Sequence, residues 1–280
     1  MKIGIIGLGL IGGSMAKTFK ENTEHQILGL DIEDSIVKKA IVTGAIDEEL
    51  KAEELPECEL LILALYPQAT IDFVKQHREQ IRKGGVVLDC CGVKRVICAE
   101  LEPIAKEQGF LFMGGHPMAG AAHSGFNHAK KALFQHASMI LTPAKGTQIE
   151  AVQQMKQLFL SIGFQDIVIT TPEEHDRMIA FTSQLAHVVS GAYIKSETAL
   201  QHQGFSAGSY KDMTRVAKLK EDMWTELFLC NPQFLSEEIE ELIQHLEEYK
   251  QAIQTQDKET LCTLLREGKE RKMTIDGEKF

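Results

Sequence analysis

"MKIGIIGLGLIGGSMAK", residues 1–17, is the stretch whose reading decides the fold of this chain. The apolar run 2–8 reads as a buried strand, and residues 13–22 carry helical spacing. Between strand and helix fall Gly7, Gly9 and Gly12. In a G-x-G-x-x-G turn the first glycine permits a tight bend. The second lets the backbone approach a pyrophosphate, and the third lets helix and strand pack closely. A phosphate placed there meets the free N–H groups of the helix N-terminus. The segment Gly7-Leu8-Gly9-Leu10-Ile11-Gly12 is therefore a candidate dinucleotide loop. The same stretch also has the lysine, apolar run and small residues of a secretory signal. Its five glycines would break the helix such a signal needs, and their spacing has the better explanation in the loop.

Outward from this unit the pattern repeats. Runs at 26–32, 60–65, 85–91 and 109–115 read as further buried strands, with helical spacing at 34–43, 69–82 and 94–108 between them. Such alternation implies parallel strands with crossover helices, a doubly wound sheet. Two more strands, 138–143 and 165–171, flank a helix at 147–161. After Pro172 no convincing strand remains. Residues 173–201 read as one long helix with Met178, Phe181, Leu185, Val188 and Val189 as its core stripe. A second helix opens at Asn231-Pro232, a plausible cap and first helical position. Its apolar residues include Leu235, Ile239, Leu242, Ile243, Leu246 and Ile253, and a last helix follows Asp257. The expected architecture is α/β: a doubly wound Rossmann-type domain over 1–171 and an all-helical domain over 172–280.

Composition bounds the function. A formal charge of −10 on 280 residues argues against nucleic-acid and anionic-membrane partners, which select basic faces. No uninterrupted apolar run of about 20 residues implies a membrane span. The six cysteines show no C-x-x-C and no zinc spacing, so reduced thiols in a cytoplasm are the simplest reading. His123, His128 and His136 likewise match no metal motif, and no metal site is expected.

Asp31 ends the second strand, 19 residues after Gly12. A carboxylate there accepts hydrogen bonds from an adenosine ribose and repels a 2′-phosphate. Ile32 follows it, with no adjacent arginine, which favours NAD over NADP. Three segments offer substrate chemistry. His116 follows the "FLFM" strand and Gly114-Gly115, and Pro117 stiffens the turn. In open α/β sheets such strand ends line the ligand crevice. His187, with Thr182 and Ser183, interrupts the apolar stripe of the long helix. "GSYKDMTR", residues 208–215, brings Lys211, Asp212 and Arg215, and Arg215 offers a planar fork suited to a carboxylate. Each segment also has a plain structural reading: a turn histidine, a satisfied core histidine, a solvated charged helix.

Taken together, the glycine loop, "GGHPMAG", "HD" followed by "TSQLAH", and "KDMTR" with Trp224 nine residues later resemble the prephenate/arogenate dehydrogenase family over nearly the whole chain. The resemblance implies an NAD-dependent oxidative decarboxylation of prephenate in tyrosine biosynthesis. It implies that His116 is the catalytic base for the ring hydroxyl and that Arg215 binds the ring carboxylate. His187 would contact the side chain, and Gly208, Asp212 and Trp224 would shape its pocket. Family resemblance and the long apolar helix faces suggest a homodimer through the C-terminal domain. Two departures concern substrate preference. Gly92 stands where relatives commonly carry serine in D-x-x-S-x-K, and Ala122 where some carry glutamate. The regulatory ACT domain that some relatives append has no counterpart here, so tyrosine inhibition through it is not expected. Three alternatives remain: an arogenate dehydrogenase; a 3-hydroxyacid dehydrogenase with a lysine base, for which Lys195 is available in a poorly matching context; and a cofactor-sensing protein without chemistry.

Overall fold

The computed structural model describes residues 1–121 and 123–277. Its first part alternates as β1 (Lys2–Ile6), α1 (Leu10–Asn22), β2 (Gln26–Leu30), α2 (Asp34–Val42) and the two-residue β3 (Glu48–Glu49). Then come β4 (Leu60–Leu63), α3 (Pro67–His77), β5 (Val86–Asp89), α4 (Arg95–Gln108) and β6 (Leu111–Pro117). The series ends with β7 (Ser138–Pro143), α5 (Ile149–Ser161) and β8 (Asp166–Ile169). The eight strands form one sheet in the order β3-β2-β1-β4-β5-β6-β7-β8.

Both faces of the sheet are covered, which explains why its strands read as unbroken apolar runs. Ile3 and Ile5 of β1, with Leu60 and Ile62 of β4, belong to one core cluster. Ile6, Leu61 and Leu63, on the opposite face of the pleat, belong to the other. The sheet is mixed, since β6 and β7 pair antiparallel while every other pair is parallel. Among its described residues the link from β6 to β7 holds a short 3-10 turn (Phe126–His128) and no crossover helix, and β7 returns alongside β6. The antiparallel partner also carries β6 beyond its expected end. His116 sits inside the strand, opposite Ile140, where the sequence placed it on a turn.

Beyond β8 the described residues are helical: α6 (Pro172–Ile179), a π-helical turn (Ala180–Leu185), α7 (Ala186–Tyr193), a 3-10 turn (Glu197–Gln201) and α8 (Gly208–Thr214). After these come α9 (Glu221–Leu229), α10 (Pro232–Gln254) and α11 (Lys258–Ile275). The single helix expected over 173–201 is thus divided, and its regular part stops at Tyr193. The wider π turn shifts the stripe, leaving Met178 and Phe181 about half exposed. Asp257 caps α11 by accepting the Thr260 N–H at 3.0 Å.

Backbone contacts divide the chain into two units, Met1–Ile179 with Val216–Asn231, and Ala180–Arg215 with Pro232–Phe280. This division does not coincide with a boundary at 172. Segment 216–231 lies with the sheet because Leu227 and Cys230 pack on its second core cluster. The Gln68 N–H also donates to Glu226 Oε1 at 2.7 Å, and Lys220 Nζ donates to Tyr66 Oη at 2.9 Å.

Candidate active site

The carboxyl ends of β1, β2, β5 and β6 lie along one edge of the sheet and carry the candidate residues of the first unit. Gly7 leaves β1 with φ +87°, and a Cβ there would meet the Ala64 carbonyl oxygen at 2.6 Å. A Cβ on Gly12 would collide with the Gly7 carbonyl, which is the close helix–strand approach that only glycine permits. Gly9 precedes α1 with nothing within 4 Å of where its Cβ would stand, so the loop presents bare backbone to that space. Asp31 is locked beside the loop. Its Oδ2 accepts the Leu8 N–H at 2.7 Å and its Oδ1 accepts the Glu33 N–H at 3.0 Å. Each oxygen keeps a further lone pair. Ile32 beside it is fully exposed.

At the end of β6, His116 is half buried. Its Nδ1 lies 2.9 Å from Nε2 of His175, the buried histidine of α6. His175 in turn donates from Nδ1 to Asp176 Oδ1 at 2.7 Å. The Asp176 carboxylate also accepts the backbone N–H groups of Lys94 and Arg95, at 2.7 and 2.8 Å, where α4 begins. That position combines orphan N–H donors with the positive end of the helix dipole, and it suits a carboxylate. Behind this chain lies a second fully buried pair. Lys94 Nζ is bonded to Asp89 Oδ2, and Asp89 accepts as well from the N–H groups of Cys91 (2.9 Å) and Gly115 (3.2 Å). Gly114 and Gly115 are required by this crowding. A Cβ on Gly114 would run into Thr142 Oγ1, and one on Gly115 would sit 2.5 Å from the Asp89 carbonyl oxygen.

The electrostatic consequence is a neutral imidazole. Burial pushes His116 well below the ordinary histidine pKa, and the neighbouring His175 and Lys94 act in the same direction. Burial lowers His175 too, against the opposing pull of its bond to Asp176. Lys94 is opposed by burial, but the Asp89 charge prevails and holds it above its usual value. Lys94 is therefore committed to Asp89 and is not a spare cation for a substrate. A Cβ added to Gly92 would lie 3.4 Å from Leu227 and 4.0 Å from His116 Cε1, ordinary contact distances. Ala122 lies outside the described residues.

The other candidates are distributed unevenly. Trp224 stands on α9 in the unit that holds His116, packed against Phe228 with ring centroids 5.4 Å apart. His187 on α7, Gly208 and Asp212 on α8, and Arg215 just after it belong to the second unit, where α7 and α8 pack together. His187 is half buried, while Gly208, Asp212 and Arg215 are exposed. Next to them His202 and Tyr210 pack with centroids 4.6 Å apart. Sequence reasoning gave no role to His175, Asp176 or Asp89. The "HD" pair stands among Glu173, Glu174 and Arg177 on a polar helix, so its burial and its need for partners show only in the fold.

Comparison with known proteins identifies the family of the chain. A family profile described as "Prephenate dehydrogenase, nucleotide-binding domain" matches residues 15–176, and one described as "Prephenate dehydrogenase, dimerization domain" matches residues 171–267. A prephenate dehydrogenase of Lactococcus lactis is 30% identical over 98% of this chain and 77% of its own length. The crystal structure of prephenate dehydrogenase from A. aeolicus, in complex with hydroxyphenyl propionate and NAD+, superposes with a TM-score of 0.87 at 28% identity, covering 98% of both chains. That of Synechocystis arogenate dehydrogenase gives 0.83 at 27% identity, covering 98% of this chain and all of the other. With both profiles matched in order, the chain is a member of the prephenate dehydrogenase family, NAD-dependent oxidoreductases of the tyrosine pathway.

Proposed function

We propose that the chain oxidises prephenate to 4-hydroxyphenylpyruvate and CO2, with His116 as the base. The observation that carries this reading is a half-buried imidazole, held neutral, on the sheet edge that also bears the glycine loop and Asp31. The loop from Gly7 through Leu8, Gly9, Leu10 and Ile11 to Gly12 cradles the pyrophosphate, and Asp31 takes the adenosine ribose. The open space at Gly9 and the spare lone pairs of Asp31 fit that group. NAD supplies the acceptor for the hydride that leaves the carbinol carbon.

As that hydride departs, the hydroxyl on the same carbon must lose its proton, and His116 accepts it. The carbinol becomes a carbonyl. The electron pair of the breaking C–CO2 bond then flows through the ring onto that oxygen, and the imidazolium returns the proton to give the phenol. A ring that is neutral at rest can accept the first proton and, once protonated, return it. Arg215 holds the ring carboxylate in a bidentate pair until it departs. His187 meets the substrate side chain, and Gly208, Asp212 and Trp224 shape its pocket. The family resemblance supports these roles, as does the exposure that leaves Arg215 available to a ligand.

The helical region from residue 172 onward is the substrate-binding and dimerisation part. In support, Ile243, Leu246 and Ile253 on α10 are exposed, and the profile matching 171–267 is described as a dimerization domain. Six free thiols support a cytoplasmic setting, and among the described residues no helix is long and apolar enough to cross a membrane. Likeness to the arogenate enzyme of Synechocystis favours a second reading, in which the substrate carries an amino group in place of the keto group. NADH formation followed at equal prephenate and arogenate concentrations decides between them. A higher kcat/KM with prephenate is expected, faster turnover of arogenate would install the second reading, and turnover of neither would overturn both.

A further inference from the structure

We propose that His175 and Asp176 are positioning residues that set the tautomer of His116, so that its bare ring nitrogen is Nε2. This rests on the reading of His116 as the base and extends it to two residues that never meet the substrate.

The Asp176 carboxylate already receives two backbone N–H groups, from Lys94 and Arg95, and a carboxylate can only accept. The third partner, His175 Nδ1, must therefore carry the proton in their 2.7 Å contact. Burial keeps His175 neutral, and a neutral imidazole protonated on Nδ1 has a lone pair on Nε2. That lone pair lies 2.9 Å from His116 Nδ1, so His116 must donate there. Its own proton is then spent on Nδ1, and Nε2 is left bare.

The opposite assignment fails at each step. Were His116 protonated on Nε2, two lone pairs would face each other across 2.9 Å, unless His175 were doubly protonated in its buried site. Every charged group facing the two rings has a fixed place in this scheme: Asp176 on α6, Lys94 at the start of α4, and Asp89 at the end of β5. When His116 takes the substrate proton, the new positive charge is spread towards His175 through the Nδ1–H bond, with the Asp176 carboxylate one ring further on. The charge forms where an anion already waits, which is the arrangement that stabilises a transient imidazolium.

The test separates tautomer from activity. In the full-length protein with 15N-labelled histidine, the ring resonances of His116, assigned by their loss in His116→Asn, should show a protonated Nδ1 and a bare Nε2. His175→Leu removes the acceptor and should abolish that preference. It should lower kcat on the order of 10²-fold, within what one general base contributes, with the KM for prephenate and the affinity for NAD changed less than about threefold. His175→Gln keeps a carbonyl acceptor for His116 Nδ1 and should recover at least about tenfold of the loss.

Equal losses in the leucine and glutamine variants would overturn the acceptor role. So would a folded His175→Leu that is less heat-stable but turns over normally. A bare Nδ1 in the unaltered protein would overturn the proposal outright, and that measurement needs no variant of His175 to fold. If the tautomer is as stated but His116→Asn retains full kcat, the reading of His116 as base fails while the positioning chain stands.

Discussion

Replacing Lys94 with methionine tests the buried charge pair beneath the site. Lys94 and Asp89 are both fully buried, and Lys94 Nζ is bonded to the carboxylate. Methionine keeps the unbranched stem that packs beside Gly114 and removes only the charge and its donors. Breaking one side of a buried ion pair costs about 3–5 kcal/mol, because the other charge is left uncompensated. Asp89 retains two backbone donors, at Cys91 and Gly115, so the lower end, about 3 kcal/mol, is expected. For a folding unit of this size that corresponds to a fall in Tm of roughly 6–12 °C. Adding Asp89→Asn to Lys94→Met should recover part of the loss, which a double-mutant cycle reads directly. A second consequence follows from the Lys94 charge, which helps hold His116 down. Without it the His116 pKa rises, and the acid limb of kcat/KM moves to higher pH. Calorimetry and a pH–rate profile on the same variant check both. A Tm loss under about 2 °C, or an acid limb that stays put, would refute the role given to this pair.

Three further outcomes are expected. Asp31→Ala should weaken NAD and narrow its advantage over NADP, measured as the ratio of their kcat/KM values; a wild-type preference for NADP would contradict the reading of Asp31. Arg215→Ala should lower kcat/KM for prephenate by roughly 30-fold to several thousand-fold, mainly through KM, with NAD affinity unchanged and only partial rescue by lysine. A normal KM would assign the carboxylate elsewhere, with Lys211 the next cation to test. Stability should fall as the solution is acidified below about pH 6.5, the ordinary histidine value. In that window the unfolded chain binds protons that the native His116 and His175, with lowered pKa values, do not bind, so ΔG of unfolding decreases with falling pH. Urea midpoints at several pH values should show a shallower slope in His116→Asn, and an unchanged slope would count against a neutral native His116.

The sheet was legible because its signals are local. A glycine spacing after an apolar run, repeated strand–helix alternation and the Asn231-Pro232 helix start each lie within a few neighbouring residues. Structure departs from that reading where distant pairing decides. Two-residue β3 has no apolar content of its own and exists because Leu28 and Gly29 offer it a ladder. The extension of β6 through His116 depends on β7, reached only after a 20-residue link. The π turn at 180–185 changes the helical period itself, so a stripe drawn at constant spacing assigned Met178 and Phe181 to the core.

The candidate site divides along the same line. Gly7, Gly9, Gly12, Asp31, His116 and Arg215 could be named from residue type and spacing, since each supplies its chemistry with its own atoms. What a base needs in addition is a neighbour that settles which of its nitrogens is free, and that neighbour is 59 residues away in sequence. Asp176 looks like an ordinary helix acid beside a histidine. It becomes informative only when its carboxylate is found against the first N–H groups of α4, 81 and 82 residues away. A carboxylate can only accept, which leaves His175 Nδ1 the donor, and the bare Nε2 of His175 then makes His116 Nδ1 a donor in turn. Sequence spacing can nominate a base, but only this closed count of protons says which of its nitrogens meets the substrate.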